Sequence, residues 1–349
     1  MRNGIGGMKM KALFIGGTGT ISMAITRAFV EQGNELYLLN RGNRSSKIEG
    51  AHTILCDINQ EEKVKDLISD KEFDVVVDFI AFKPEQVERD YRLFQGKTNQ
   101  YIFISSASAY QKPLSDYRIT EGTPLSNPHW EYSRNKIACE NFLMDKYRTE
   151  GFPITIVRPS HTYDERTIPL GLHGNNGSFQ NIKRMLEGKK VIIHGDGTSL
   201  WTLTHNSDFA KGFIGLMGNV HAIGEAVQIT SDESLTWNQI YQVVADALQV
   251  PLHAIHVSSE FLAASSHYDV EGGLIGDKAN TVVFQNKKLK RLVPNFVATK
   301  RFDQGVKESI AYVMEHKECQ KEDPEFDRWC DHVIEAMEAA QRSVLETLS

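Results

Sequence analysis

"KALFIGGTGTIS", residues 11–22, is a short apolar run that breaks into a glycine-rich turn and then into helical periodicity. Gly16 and Gly19 stand three apart, and Ser22 occupies the place of a third glycine in the spacing G-x-x-G-x-x-G. Gly16 permits a tight strand-to-helix turn, and Gly19 lets backbone N–H groups approach a pyrophosphate at a helix N-terminus. Ser22 is small enough for helix and strand to pack closely. A glycine pattern alone is weak, but between a first strand and a first helix it predicts a dinucleotide-binding half.

The texture downstream agrees. Apolar runs at 35–40, 52–56, 73–81, 100–105 and 154–159 alternate with stretches of helical length at 20–32, 61–69, 84–95 and 130–149. This is the β-α-β rhythm of an α/β fold, a Rossmann-type doubly wound parallel sheet. Runs that are continuously apolar fit strands covered on both faces. After residue 165 the rhythm gives way to Gly, Asn and Pro in "TIPLGLHGNNGS", then a helix, the strand "KVIIHG" and a helix at 235–248. The expected division is a NAD(P)-binding domain over 10–165 and about 200–230, with a smaller interleaved α/β substrate domain over about 166–199 and 231–317. A C-terminal helical extension over 318–349 carries spaced Trp329, Val333, Ile334, Met337 and Val344, an amphipathic pattern suited to packing or dimerising.

The chain has 349 residues and a formal net charge of −6, which offers no basic footprint for nucleic acid. Cys56, Cys139, Cys319 and Cys330 lack C-x-x-C or zinc spacing and read as reduced thiols of a cytoplasmic protein. No run of eighteen apolar residues exists, and residues 1–9 read as a loose leader rather than a signal peptide. No spacing of histidines and carboxylates calls for a metal.

At the end of the second strand, a carboxylate would hold the adenosine ribose of NAD. The sequence has "LLNRGNR" there, with Asn40, Arg41 and Arg44. Without an acidic side chain a 2′-phosphate is not repelled, and two guanidinium groups can pair with it. NADP is therefore favoured slightly over NAD, unless both arginines are solvated loop charges.

Ser105, Ser106 and Ser108 in "FISSASAY" fall where open α/β sheets present side chains to a ligand crevice. Tyr132 and Lys136 in "YSRNK" are four apart, on one face of a predicted helix. Hydride transfer at a sugar carbon needs a base for the hydroxyl proton, and a lysine cation close to a phenol favours the phenolate. Lys136 can serve Tyr132 while touching the cofactor ribose, and a strand-end serine can hold the substrate oxygen.

"GGTGTIS", "FISSASAY", "YSRNK" and "IVRPSHTY", in this order, resemble the extended short-chain dehydrogenase/reductase family of the NAD-dependent epimerase/dehydratase type, which includes UDP-galactose 4-epimerase. The resemblance runs from about Lys11 to about residue 317. It implies Tyr132 as acid/base, Lys136 as its partner and ribose anchor, and Ser106 (with Ser108 the alternative) as the hydroxyl that positions substrate. Gly16, Thr18, Gly19, Thr20 and Ile21 would form the pyrophosphate turn, and Asp57 and Ile58 would flank the adenine. Phe79, Ile80, Ala81 and Lys83 would line the cofactor, with Ser160 and His161 over the nicotinamide side. The helix of "YSRNK" and residues 84–95 would build a homodimer interface.

Two departures stand out. The stretch after the fourth strand is compact and lacks an asparagine that family epimerases carry. Trp201 stands where nucleotide-sugar enzymes have a diphosphate-binding arginine, and reads instead as a pocket wall or core aromatic. The expected substrate is a small, sugar-like molecule, nucleotide-linked or not. The alternative is a non-catalytic cofactor sensor or RNA binder of an atypical, epimerase-like branch. His161 and His205 read as hydrogen-bonded structural histidines, with ligand or acid roles as the alternative. Lys287–Arg291 reads as a solvated helix face and Cys139 as packing.

Overall fold

The computed structural model describes residues 9–42 and 48–348. Most of the expected leader and Arg44 lie outside the described residues. The architecture is α/β, centred on seven strands: β1 (Lys11–Ile15), β2 (Glu35–Asn40), β3 (Ala51–Leu55), β4 (Val75–Asp78), β5 (Tyr101–Ile104), β7 (Ile154–Pro159) and β12 (Ala226–Ile229). They pair in the order β12-β7-β5-β4-β1-β2-β3, parallel throughout. Helices α1 (Ser22–Glu31) and α6 (Asn206–Leu216) cover one face; α2 (Glu61–Leu67), α3 (Pro84–Phe94) and α4 (Glu131–Glu150) cover the other.

The period of two along a strand decides which residue serves which face. Ala12 and Phe14 of β1 join Ile25 and Phe29 of α1 and Phe209 and Phe213 of α6. Leu13 and Ile15 join Val87 and Phe94 of α3 and Leu143 of α4. Each such side chain, fully withdrawn from water, stabilises the sheet by about 1.5–3 kcal/mol.

A second lobe is made of short ribbons joined by distant parts of the chain. β8 (His161–Tyr163) pairs with β11 (Leu203–His205), and β10 (Leu200–Trp201) with β13 (Leu235–Thr236). β9 (Val191–His194) pairs with β14 (Ala254–Val257), and β6 (Arg118–Ile119) with β15 (Val283–Phe284). Around them lie α5 (Phe179–Leu186), α7 (Trp237–Leu248), α8 (Ser259–Ala264), α10 (Phe302–Glu315) and α11 (Pro324–Leu348), whereas α9 (Lys287–Leu292) packs its Leu289 with α6 and β12 on the sheet. Trp201, Trp237, Tyr241 and Phe302 form the centre of its core.

The final helix docks from its start to about Glu338, which pairs with Lys190. Phe326, Cys330, Val333 and Ile334 of α11 pack against Ile192 and Leu262, while Val344 is 59 % exposed. Arg184 of α5, itself buried, clamps it through Asp327 at 2.6 Å and Asp331 at 2.8 Å. The amphipathic pattern expected through Val344 thus outlasts its partner surface.

Candidate functional site

The glycine turn opens the first of two neighbouring cavities. Gly16 (φ +94°) and Gly17 (φ +91°) adopt backbone that side chains rarely tolerate. A Cβ on Gly17 would lie 2.8 Å from Leu38. The N–H of Gly19 donates to Ser22 Oγ at 2.8 Å, and Thr26 Oγ1 donates to the Gly17 carbonyl at 2.7 Å. Ser22 therefore does more than pack: it ties the turn to its own helix.

This cavity, ≈ 620 Å³, sits at the C-terminal ends of β1, β2 and β4. Gly16, Thr18, Gly19, Thr20, Ile21, Asn40, Arg41, Asp57, Ile58, Phe79 and Ile80 all line it. Sequence reasoning overlooked Gly17, Asn59, Phe82, Gln86 and Arg89, which share the lining. Arg89 carries no local motif; it is fixed by tertiary contacts, donating to Asn59 Oδ1 at 2.8 Å and to Asp90 Oδ1 at 2.7 Å. Asp78, fully buried, accepts from Ile80 N–H at 2.5 Å and Ala81 N–H at 2.8 Å, shaping the loop after β4.

Five expected cofactor residues stand apart from this cavity: Ala81, Lys83, Tyr132, Lys136 and Ser160. Lys83 is exposed at the N-cap of α3, where the chain turns away from the crevice. Ala81 is buried, and its carbonyl accepts from Lys136 Nζ at 2.7 Å. Ser160 lines the second cavity instead.

That second cavity, ≈ 370 Å³, lies between the sheet and the ribbon lobe. It brings together Ser106, Ser108, Tyr132, Ser160, His161 and Trp201 from four separate stretches of chain. The serines are wired in series: Ser106 Oγ and Ser108 Oγ are 2.9 Å apart, and Ser133 Oγ donates to Ser108 Oγ at 2.7 Å. Burial pushes the Tyr132 phenol up to about 12, against the hydrogen bond with Ser106, which makes the phenol more acidic. Lys136, 2 % exposed, donates to the carbonyls of Ala81 and Ile104, both at 2.7 Å, and burial brings it down to about 8.

The expected lysine-lowered phenol is therefore not the arrangement found. The ammonium is held by the ends of β4 and β5, 5.7 Å from the Tyr132 ring centroid, and burial dominates both groups. Helix α4, which carries both, is anchored by one buried ion pair. Arg158 of β7 meets Glu140 at 2.9 and 2.5 Å, and Ser105 Oγ donates to the same carboxylate.

His161 Nδ1 accepts from Trp201 Nε1 at 3.4 Å, and burial drives its imidazole down to about 3, so it is neutral. His205 is the N-cap of α6, accepting from Ser207 N–H at 3.2 Å. Trp201 is both wall and core, 3 % exposed and stacked on Trp237 with ring centroids 5.6 Å apart. Asp277, Lys278, Lys112 and His173 also line it, and no sequence motif pointed to them. Among the described residues no group of histidines, cysteines and carboxylates is arranged to hold a metal, and no helix is long and apolar enough to cross a membrane.

Residues 12–230 match the family model described as the NAD dependent epimerase/dehydratase family. The chain is 22 % identical over 298 residues to 2′-dehydrokanamycin reductase of Streptomyces kanamyceticus, covering 82 % of this chain and 80 % of that protein. It is 27 % identical over 254 residues to the chloroplast stem-loop binding protein of 41 kDa b of Arabidopsis thaliana, covering 68 % and 63 %. The fold superposes with a TM-score of 0.70 on UDP-glucuronic acid 4-epimerase from Bacillus cereus in complex with UDP-glucuronic acid and NAD, at 19 % identity, over 88 % of this chain and 99 % of that one.

Proposed function

The chain belongs to the NAD dependent epimerase/dehydratase family, of the extended short-chain dehydrogenase/reductase type, and on that premise we propose that it is an oxidoreductase. It oxidises or reduces a hydroxyl or ketone of a sugar-like molecule, alone or within an epimerase or dehydratase cycle. The observation that carries the reading is the adjacency of two cavities: Ile104 lines the larger and Ser106, two residues on, the smaller, and the rings of Phe82 in the larger and Tyr132 in the smaller stand 6.1 Å apart.

A nicotinamide dinucleotide fits the larger cavity: the left-handed glycines turn the chain tightly enough for backbone to form its floor, and a Cβ on Gly16 or Gly17 would collide with Ile80 or Leu38. Gly16, Thr18, Gly19, Thr20 and Ile21 would hold the pyrophosphate, and Asp57 and Ile58 the adenine end. Such a cofactor supplies the hydride acceptor or donor. Tyr132 Oη holds or takes the proton of the reacting hydroxyl, and Ser106 Oγ orients the substrate oxygen. Lys136, its ammonium held by the Ala81 and Ile104 carbonyls, would meet the cofactor ribose only by giving up one of those contacts.

The end of β2 has no carboxylate, and Arg41 lines the cavity, so we read the cofactor as NADP in slight preference to NAD. The same reading divides the chain into a dinucleotide domain over 10–165 and about 200–230 and a substrate domain over the remainder to 317. It also pairs α3 and α4 with their counterparts in a homodimer. An RNA-binding role is disfavoured by the net charge of −6 and by a serine–tyrosine–lysine set that a scaffold has no use for.

Titrating the protein with NAD+ and NADP+ tests the cofactor; tighter binding of NAD+ refutes the NADP preference. Tyr132→Phe tests the chemistry. Turnover should fall about 10²–10⁴-fold with dinucleotide affinity retained, and unchanged turnover overturns the oxidoreductase reading.

A further inference from the structure

Two side chains in the smaller cavity have no part in the chemistry above. Lys112 is 4 % exposed and Asp277 is half-buried, and both face the space bounded by Ser106 and Tyr132. Among the described residues, neither the ammonium nor the carboxylate has a hydrogen-bond partner, and no ion pair joins them. Burial lowers Lys112 and raises Asp277; the neighbouring Lys278 charge relieves Asp277 most, and Lys112 and Asp277 relieve each other at longer range. Neither the ammonium nor the carboxylate is among the fully buried unpartnered polar atoms, so both reach the cavity space, where the polar groups of a bound molecule can meet them.

Their positions are not accidents of mobile loops. The helical segment Glu271–Lys278 is tethered to the loop bearing the serines by Asn127, whose Nδ2 donates to Gly276 O at 2.7 Å and to Ser108 O at 2.9 Å. Its last carbonyl, that of Lys278, accepts from Trp237 Nε1 at 3.0 Å. Gly272 lies so close to Trp130 that a Cβ there would fall 2.2 Å from the indole. On the other wall, the Lys112 N–H donates to Ser126 O at 2.7 Å. Lys278, the other cation of the lining, spends its ammonium on Gly273 O at 3.3 Å and on the Trp130 face.

We propose that Lys112 and Asp277 are the specificity-determining pair of this site, gripping adjacent hydroxyl or amino substituents of a free polyhydroxylated ring, a sugar or cyclitol without a nucleotide. The inference rests on the oxidoreductase reading of the same cavity. Lysine only donates hydrogen bonds and a carboxylate only accepts them, so neighbouring ring substituents satisfy both at once. Trp130, Trp201, Tyr110 and Phe284 give the C–H face of such a ring an apolar wall. A diphosphate finds less here: Trp201 offers no bidentate cation, and the Asp277 carboxylate repels it.

The test uses the full chain with NADP+ bound and measures dissociation constants of D-glucose, D-glucosamine, myo-inositol and UDP-glucose, alongside melting temperature. At least one free ring should bind saturably and more tightly than UDP-glucose. Asp277→Asn and Lys112→Met should each weaken that binding by about 10–100-fold, the range for hydrogen bonds to charged groups. Both should leave the melting temperature equal or higher, since each removes a charge whose burial is only partly relieved; a purely structural pair would lower it. Binding of UDP-glucose alone, binding of no probe, unchanged affinities in both variants, or lowered melting temperatures would each overturn the proposal. NADP+ affinity in the same samples reports separately on the dinucleotide site, so failure there is distinguishable.

Discussion

The two cavities are built on opposite plans. The larger is lined by consecutive loops at the ends of β1, β2, β3 and β4, each emerging in chain order from one sheet. The smaller draws on residues as far apart as Ser106 and Phe284, brought together by two-residue ribbons such as β6 with β15. A site that follows the sheet inherits its position from strand order. A site between lobes depends on many separate contacts, each of which can change without disturbing the sheet. The first plan suits a constant dinucleotide, the second a substrate that differs among relatives.

Arg158→Met probes the joint between the two plans. The pair it breaks is buried, and the orphaned Glu140 carboxylate should cost about 3–5 kcal/mol in denaturant unfolding. Because α4 carries Tyr132 and Lys136, turnover should fall further than the loss of folded protein explains. Retained stability and turnover would show that α4 is held by its apolar face alone.

Gly17→Ala comes next and strikes the sheet-derived cavity. The left-handed backbone and the close approach to Leu38 predict about 1–3 kcal/mol of destabilisation, with weaker dinucleotide binding in fluorescence titration. Binding of free rings to the smaller cavity should change little. If both affinities collapse together, the two cavities are one cooperative site.

The smallest effect concerns His161, at the border with the ribbon lobe. Its imidazole in the fold is at about 3, below its ordinary 6.5, so on acidification the unfolded chain takes up the proton first. Stability should fall as pH drops through 6.5 towards 3. In His161→Asn the urea midpoint should decline less steeply over that window, and parallel curves would show that this ring is not buried as described.

The glycine turn, "FISSASAY" and the four-residue step from Tyr132 to Lys136 were legible because each is a local pattern on a strand end or helix face. Three-dimensional packing revised what they do. Sequence spacing puts Lys136 beside a phenol, yet two strand-end carbonyls claim its ammonium, and burial raises the phenol it was expected to acidify. Lys83 matched a lining motif but caps α3 at the surface, because the chain turns outward after Ala81. Arg89, Lys112 and Asp277 lie in no motif and become visible only once distant segments meet.

The sequence by itself determined six of the seven parallel strands and the glycine floor of the dinucleotide cavity, while the edge strand β12 went unmarked. Apolar periodicity and backbone freedom are local properties, written in consecutive residues. Tertiary structure alone decided which charges stay unpaired beside Tyr132, because desolvation and pairing depend on neighbours that are remote in the chain.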